Sequence, residues 1–281
     1  MSANPTYVFV HGSGSNSFLW TPLMRELALL GHRTLAVDLP GHGFDAQYPT
    51  SYQAPQDLHA LAAEPSRLAA VTLQDNVDHV AGIVRRVAEH GPVILVGASL
   101  GGLTISRVGN AVPDLISRIV YLSAWCCVKL PSLADYLGEP EFAAQMTVTV
   151  PPVGDPAALG AVRVNWRAAD PGFLADARHL FMADATDDQF RVFLNTLQPD
   201  SSMAVLTADA RVDAATWGTI PRTYIRLTED RTTPVAFQDR MIAEADELTP
   251  GNPFDVHSVE SSHAGFILKG AEVAAILARL A

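Results

Sequence analysis

The most informative part of the sequence is VILVGASLGG, residues 93–102. Its first four residues are apolar, as in a buried strand, and a periodic apolar segment follows from Leu100 to Val108. Between them, residues 97–102 match the pattern G-x-S-x-G. Small residues at Gly97 and Gly101 allow a sharp turn that holds Ser99 above the positive end of the following helix. The stretch therefore predicts a serine nucleophile, and an ordinary glycine-rich turn is the alternative.

The flanking sequence alternates between strand and helix patterns. Strands are predicted over the ranges 6–10, 34–38, 93–96, 118–122, 223–227 and 255–259. Helices are predicted after Thr21 and Thr72, and over 100–108, 234–245 and 271–280. The polar and alanine-rich stretch 47–65 is predicted to be a loop. This alternation predicts an α/β protein with a mostly parallel central sheet flanked by helices.

The alternation stops between residues 125 and 216, where the chain is helix-like and rich in proline. We therefore expect one α/β core, residues 1–124 and 217–281, interrupted by a helical insertion over 125–216 that forms a lid. Apolar side chains of the insertion either pack its helices or line a substrate cleft, since catalytic pockets are mostly apolar. The pocket residues that we predict are Gly12, Trp125, Phe142, Trp166 and Phe181.

Composition excludes several classes of function. The 281 residues carry a net charge of −11, which disfavours nucleic-acid binding. No apolar run reaches the roughly 18 residues of a membrane span, and no basic segment suggests a signal peptide. Cys126 and Cys127 are adjacent, which does not suit a disulfide, so we expect reduced thiols and a cytoplasmic protein. Spacings typical of a P-loop, a zinc site or a calcium loop do not occur, so no cofactor or metal is expected. We expect a monomer or homodimer that acts on a small molecule.

A serine nucleophile needs a general base that is oriented by an acid. His263 follows the last predicted strand, whereas His257 lies inside that strand and His179 lies in the insertion. Asp230 follows the preceding predicted strand, and its neighbour Glu229 is the alternative. We predict His263 as the base and Asp230 as the acid, in the chain order Ser, Asp, His.

The glycine-rich loop after the first strand has two interpretations. In acyl transfer, the backbone N–H groups of Ser13 and Leu100 would bind the oxyanion. Alternatively, the loop resembles a dinucleotide-binding fingerprint formed by Gly12, Gly14 and Asp38, although the third glycine of that fingerprint is missing. The dinucleotide interpretation leaves Ser99 and His263 without a role.

Together these motifs resemble the α/β-hydrolase superfamily, and most closely its branch of methylesterases and hydroxynitrile lyases. The shared stretches include GHRTLAVDL (31–39) and TEDRTTPVAFQDRM (228–241), and the resemblance covers residues 6–45, 72–125 and 222–281. It implies an α/β-hydrolase fold with Ser99 as nucleophile, Asp230 as acid and His263 as base. In some relatives the acid follows an earlier strand, but the corresponding stretch 122–124 here reads Leu-Ser-Ala.

Two departures from the hydroxynitrile lyases favour ester hydrolysis. This chain has Gly12 where those lyases have threonine, and Ala264 where they have a lysine that stabilises cyanide. We therefore expect a serine hydrolase of the carboxylesterase type that forms an acyl-enzyme. A carbon–carbon hydrolase or lyase using the same triad, and a receptor-like homologue with little turnover, are the alternatives.

Overall fold

The computed structural model describes residues 4–145 and 148–281, which contain eight strands. These are β1 (Thr6–Val10), β2 (Arg33–Val37), β3 (Val93–Ala98), β4 (Ile116–Leu122), β5 (Ala161–Arg163), β6 (Asp200–Ser202), β7 (Arg222–Leu227) and β8 (Asp255–Val259). Six of them form a central sheet in the order β2-β1-β3-β4-β7-β8, in which every neighbouring pair is parallel. The predicted parallel α/β sheet is confirmed.

The register aligns the carboxyl ends of the strands at one edge of the sheet. Val10 at the end of β1 pairs with Val37 and Gly97, and Ala98 at the end of β3 pairs with Leu122. The loops that follow these strands therefore lie side by side, as expected where ligands bind to open parallel sheets.

Helices form the rest of the secondary structure of the described residues. They are α1 (Thr21–Leu29), α2 (Leu58–Ala63), α3 (Leu73–Ala88), α4 (Gly101–Ala111), α5 (Leu133–Leu137), α6 (Pro140–Gln145), α7 (Pro156–Leu159), α8 (Pro171–Phe181), α9 (Asp187–Thr196), α10 (Met203–Thr207), α11 (Val235–Leu248) and α12 (Gly270–Ala278), with short 3₁₀ turns between some of them. None of the helices in the described ranges is long and apolar enough to cross a membrane.

Two apolar layers cover the sheet. On one face, α3, α4 and α11 contribute side chains such as Val80, Leu103 and Met241 to a single cluster. On the other face, α1 and α12 contribute side chains such as Leu27 and Leu277 to a second cluster. Alternate residues of β1 and β3 enter opposite clusters because successive side chains of a strand point to opposite faces.

Local signals explain most helix boundaries. The α3 helix begins with a capping box, in which Thr72 and Asp75 bond to each other's backbone N–H groups, and α1 ends two residues before Gly31, whose φ is +86°. The expected loop over 47–65 is wrong in part, because it contains α2. The Asp57 side chain caps this helix by accepting the N–H of Ala60.

The sequence predicted a helical insertion over residues 125–216, but the structure shows that this segment is not purely helical. Besides α5 to α10 it contains an antiparallel pair in which Ala161 of β5 faces Ser202 of β6. A three-residue strand carries too little periodicity to be recognised in the sequence. Cys126 and Cys127 of this segment are both unbridged and fully buried, as predicted.

Candidate active site

Ser99 occupies a strained turn between β3 and α4. Its φ is +52°, in the left-handed region that L-residues with a side chain seldom adopt. Its carbonyl accepts the N–H of Gly102 and that of Trp125, each at 3.0 Å, which fixes the turn. A Cβ on Gly101 would lie 2.6 Å from the carbonyl oxygen of His11, so glycine lets α4 approach the end of β1. Strain held in this way is typical of functional turns.

His263 and Asp230 meet at the same edge of the sheet. The Nδ1 atom of His263 lies 2.6 Å from Oδ2 of Asp230, whose side chain is fully buried. Oδ1 of Asp230 accepts the backbone N–H groups of Thr232 and Thr233, each at 2.7 Å. Since an ionised carboxylate only accepts hydrogen bonds, Asp230 fixes the proton of the neutral His263 ring on Nδ1 and leaves Nε2 free to accept one.

The alternative acid and bases lie elsewhere. Glu229 is exposed, and His257 is paired with Asp255 at 3.2 Å on β8. His179 contacts Arg231 at 3.0 Å at the exposed end of α8. None of the three lines the cavity that contains Ser99.

The loop after β1 lies directly against Ser99. A Cβ on Gly12 would lie 2.8 Å from Cβ and 3.3 Å from Oγ of Ser99. Within the described part of the chain, no group accepts the backbone N–H of Ser13 or of Leu100. Two unpaired N–H groups beside a serine can bind a developing oxyanion.

His11 anchors this loop to the end of β2. Its Nε2 atom accepts the N–H of Leu39 at 3.2 Å, so Nδ1 carries the proton that is donated to the carbonyl of Gly12 at 2.9 Å. Burial, followed by the proximity of His42, lowers the pKa of His11 to about 3. The ring is therefore a neutral structural bridge rather than a proton carrier.

Asp38 has a structural role that the dinucleotide interpretation did not anticipate. Its Oδ1 atom accepts the N–H of Ser17 at 2.6 Å, and a Cβ on Gly43 would overlap its carboxylate at 2.1 Å. The carboxylate is thus occupied by the protein's own backbone and packed by the loop after β2.

A cavity of about 560 Å³ lies over Ser99 and His263. Its wall contains all five of the predicted pocket residues, namely Gly12, Trp125, Phe142, Trp166 and Phe181, together with Ser13 and Leu100. Among the described residues of the wall, His263 alone has an acidic or basic side chain. Aromatic contacts shape two parts of the wall, since Trp125 packs on Phe142 with ring centroids 5.8 Å apart and Trp166 on Phe181 at 5.6 Å.

The segment 125–216 is bonded to the loops of the site. The N–H of Gln198 donates to the carbonyl of Gly14 at 2.7 Å, next to Ser13. The carbonyl of Phe181 accepts the N–H of Ala264 at 2.7 Å. Asp184 accepts the hydroxyl and, at 3.3 Å, the N–H of Ser262. Both neighbours of His263 are therefore held by the end of α8 and the residues that follow.

Sequence reasoning missed two residues of this site, Ser123 and Asp184. Ser123 donates its hydroxyl to Asp230 at 2.6 Å, and Asp184 holds Ser262. A lone serine or aspartate in a loop has no spacing pattern, so no signal in a single sequence identifies these contacts.

Comparison with known proteins places the chain in a family. The model of the family described as "Alpha/beta hydrolase family" matches residues 7–276. Methylesterase 10 of Arabidopsis thaliana is 32% identical over 119 residues, which are 42% of this chain and 37% of that protein. A pyrethroid hydrolase of Sphingobium wenxiniae is 26% identical over 262 residues, which are 92% of this chain and 81% of that protein.

The fold agrees with these alignments. The crystal structure of polyneuridine aldehyde esterase superposes with a TM-score of 0.71 and 20% identity, over 99% of each chain. The alignment with Esterase Rv0045c of Mycobacterium tuberculosis, like that with Methylesterase 10, spans only about a third of the relative (32% and 37%). The predicted resemblance to the methylesterase branch is confirmed, and the chain belongs to the α/β-hydrolase family.

Proposed function

We propose that this protein is a serine carboxylesterase with Ser99 as nucleophile, His263 as general base and Asp230 as orienting acid. One observation carries the proposal: the strained Ser99 and the Asp230-bound His263 line the same cavity. Relatives named esterase or hydrolase support ester hydrolysis.

The reaction proceeds in two steps. Nε2 of His263 takes the proton of the Ser99 hydroxyl while Oγ attacks the ester carbonyl. The N–H groups of Ser13 and Leu100 bind the resulting oxyanion. The His263 imidazolium then protonates the leaving alcohol, which leaves an acyl-enzyme on Ser99. Water cleaves the acyl-enzyme with His263 again as base.

Two positions favour hydrolysis over cyanohydrin cleavage. A Cβ at Gly12 would press on Ser99, so the threonine found in hydroxynitrile lyases does not fit this loop without a shift. Ala264 is buried and lines the cavity, where a lysine would be needed to stabilise cyanide. An uncharged wall beside the catalytic histidine suits a neutral leaving alcohol.

The wall of the cavity defines the substrate class. It is apolar and, apart from His263, carries no acidic or basic side chain among the described residues. Burying an unpaired charge there would be costly, so the substrate is a small, uncharged and largely apolar ester.

The segment 125–216 serves as the lid over this cavity, and residues 1–124 and 217–281 form the catalytic core. Two buried and unbridged thiols suit a cytoplasmic protein. We further propose that it acts as a monomer or homodimer.

The test is hydrolysis of p-nitrophenyl esters from acetate to decanoate by the wild type, Ser99→Ala and His263→Ala. We expect both substitutions to lower kcat by about 10³-fold or more. The variant Ser106→Ala is the matched control, because Ser106 is a buried serine whose hydroxyl bonds to Tyr121 and not to the site. An organophosphate should label Ser99 in the wild type and in the control.

Other outcomes point to other functions. Near-normal turnover by Ser99→Ala would eliminate the triad assignment. Labelling of Ser99 without hydrolysis of any ester would favour carbon–carbon cleavage or a receptor-like role. Tight binding of an apolar ligand without turnover would then separate the receptor from the carbon–carbon hydrolase.

A further inference from the structure

Ser123 directly follows β4 and adopts a conformation that is unusual for serine. Its φ is +41°, in the region that favours glycine, and the residue is fully buried. Its backbone N–H donates to the carbonyl of Ile225 on β7 at 2.9 Å, which keeps the backbone in the sheet at this point. The strain therefore persists inside a rigid frame.

The side chain of Ser123 points at the candidate acid. Its hydroxyl donates to Oδ2 of Asp230 at 2.6 Å, and the same oxygen lies 2.6 Å from Nδ1 of His263. The other oxygen, Oδ1, accepts two backbone N–H groups of the loop after β7, those of Thr232 and Thr233. Each oxygen of the buried carboxylate thus has two donors, and Ser123 supplies the one that comes from the residue after β4.

The two backbone donors hold Oδ1 within the loop to which Asp230 itself belongs. With Oδ1 held, the carboxylate can still pivot about that oxygen, which changes the position of Oδ2. Ser123 follows a different strand, β4, and its backbone is bonded to β7, so its hydroxyl ties Oδ2 to the sheet and holds it toward His263. Glycine would relieve the strain at this position, but it would lose that tie.

We propose that Ser123 is a positioning residue whose hydroxyl holds the Asp230 carboxylate against His263, at the cost of a strained backbone. The inference rests on the proposed Ser99, His263 and Asp230 triad. Ser123 touches neither the substrate nor the reacting atoms and does not line the cavity. It acts through Asp230, so it influences the orientation of His263 and the stability of the imidazolium that forms during catalysis.

Because the backbone of Ser123 is strained, two substitutions can distinguish positioning of Asp230 from ordinary packing. Ser123→Gly removes the hydroxyl and the strain together, whereas Ser123→Ala removes the hydroxyl and keeps the strain. We expect both variants to lower kcat by about 10- to 100-fold, the effect of losing a hydrogen bond to a charged group, with KM unchanged. We expect the urea midpoint of Ser123→Gly to equal or exceed that of Ser123→Ala. Ser106→Ala, which also deletes a buried and hydrogen-bonded hydroxyl, should retain wild-type kcat.

A spectroscopic measurement keeps the test decisive if one variant fails to fold. The proton between His263 Nδ1 and Asp230 should give a far-downfield ¹H NMR signal. We expect this signal to shift or broaden in Ser123→Ala and in Ser123→Cys, which keeps a weak donor, with the smaller change in Ser123→Cys. The signal should be unchanged in Ser106→Ala.

The outcomes distinguish this proposal from the proposed function. If Asp230→Asn loses activity but the Ser123 variants keep wild-type kcat and the unchanged proton signal, the role of Ser123 is refuted and the triad stands. A fall in kcat that is matched by an equal rise in KM would also refute it, since positioning of the acid does not affect ground-state binding. If Asp230→Asn is as active as the wild type, the triad itself is wrong.

Discussion

The α/β core and the segment 125–216 contribute different parts of the candidate site. The proposed reacting groups lie on core loops at one edge of the sheet, where parallel strands align them. Much of the cavity wall comes from the segment, including Trp125, Phe142, Trp166 and Phe181. The core is built on two large apolar layers. The segment joins one of these layers, has a smaller apolar cluster around Phe190 and Phe193, and is also tied down by polar contacts such as those of Arg163. The comparison suggests that chemistry depends on the core and that substrate choice depends on the segment.

The largest expected effect lies in the core. Asp230→Asn should lower kcat/KM by about 10³- to 10⁴-fold, because an amide at this position favours the wrong tautomer of His263. The matched control is Glu229→Gln, since Glu229 is adjacent but exposed, and it should stay within about two-fold of the wild type. Ester hydrolysis by purified variants checks both. Equal losses in the two variants would leave the acid unassigned.

A buried ion pair in the segment gives the next largest effect, and it concerns stability. Arg163 forms two hydrogen bonds to Asp200, at 2.6 and 2.7 Å, and two more to the carbonyls of Leu61 and Glu64. Arg163→Met leaves Asp200 buried and unpaired, so the free energy of unfolding should fall by about 3–5 kcal/mol.

Urea denaturation measures this change. The control is Arg211→Met, which breaks an exposed pair with Asp209 and should not change the midpoint measurably. A midpoint unchanged in Arg163→Met would show that the stability of the protein does not depend on this polar anchor of the segment.

A substitution at Gly12 tests how closely the core packs around Ser99, the proposed nucleophile. Gly12→Ala would place a methyl group 2.8 Å from Cβ of Ser99. Displacement of the loop after β1, which carries the proposed oxyanion donor Ser13, should lower kcat by about 10²-fold. Gly82→Ala is the control because a Cβ at Gly82, in α3, meets nothing within 4 Å. It should keep full activity and gain up to about 1 kcal/mol of stability. Steady-state kinetics measure both variants. If Gly12→Ala and Gly82→Ala are equally active, tight packing around Ser99 is excluded.

The smallest expected effect is a change of substrate preference at the segment. Phe193 and Leu19 line both the cavity and a neighbouring apolar groove of about 280 Å³. Phe193→Ala should join the two spaces and raise the ratio of decanoate to acetate hydrolysis about ten-fold, the value of roughly two buried methylenes. Val192→Ala, which lines only the groove, should leave the ratio unchanged. A chain-length profile identical in both variants would contradict the division between chemistry and substrate choice.

Several features were predicted because they depend on short stretches of chain. The helix start after Thr72, the G-x-S-x-G turn, the loops after the predicted strands and the alternation of strand and helix patterns can all be read from short stretches of sequence. They predicted the parallel sheet, the position of Ser99 and the two candidate partners Asp230 and His263. Sequence reasoning already preferred Asp230 to Glu229, and the structure adds the physical difference between them, since Asp230 is buried and Glu229 is exposed.

The sequence by itself determined the order of the six central strands and of the helices that flank them, the serine turn and the residue types available for catalysis, whereas α2, β5 and β6 were not predicted. Each of the predicted features follows from local backbone preferences or from a spacing that can be read along the chain. Only the tertiary structure decided that Ser123 reaches Asp230, that Asp184 holds the loop of His263 and that Gly12 presses against Ser99. These contacts join residues that are distant along the chain, and their energy depends on distance and burial. The sequence pattern encodes neither quantity.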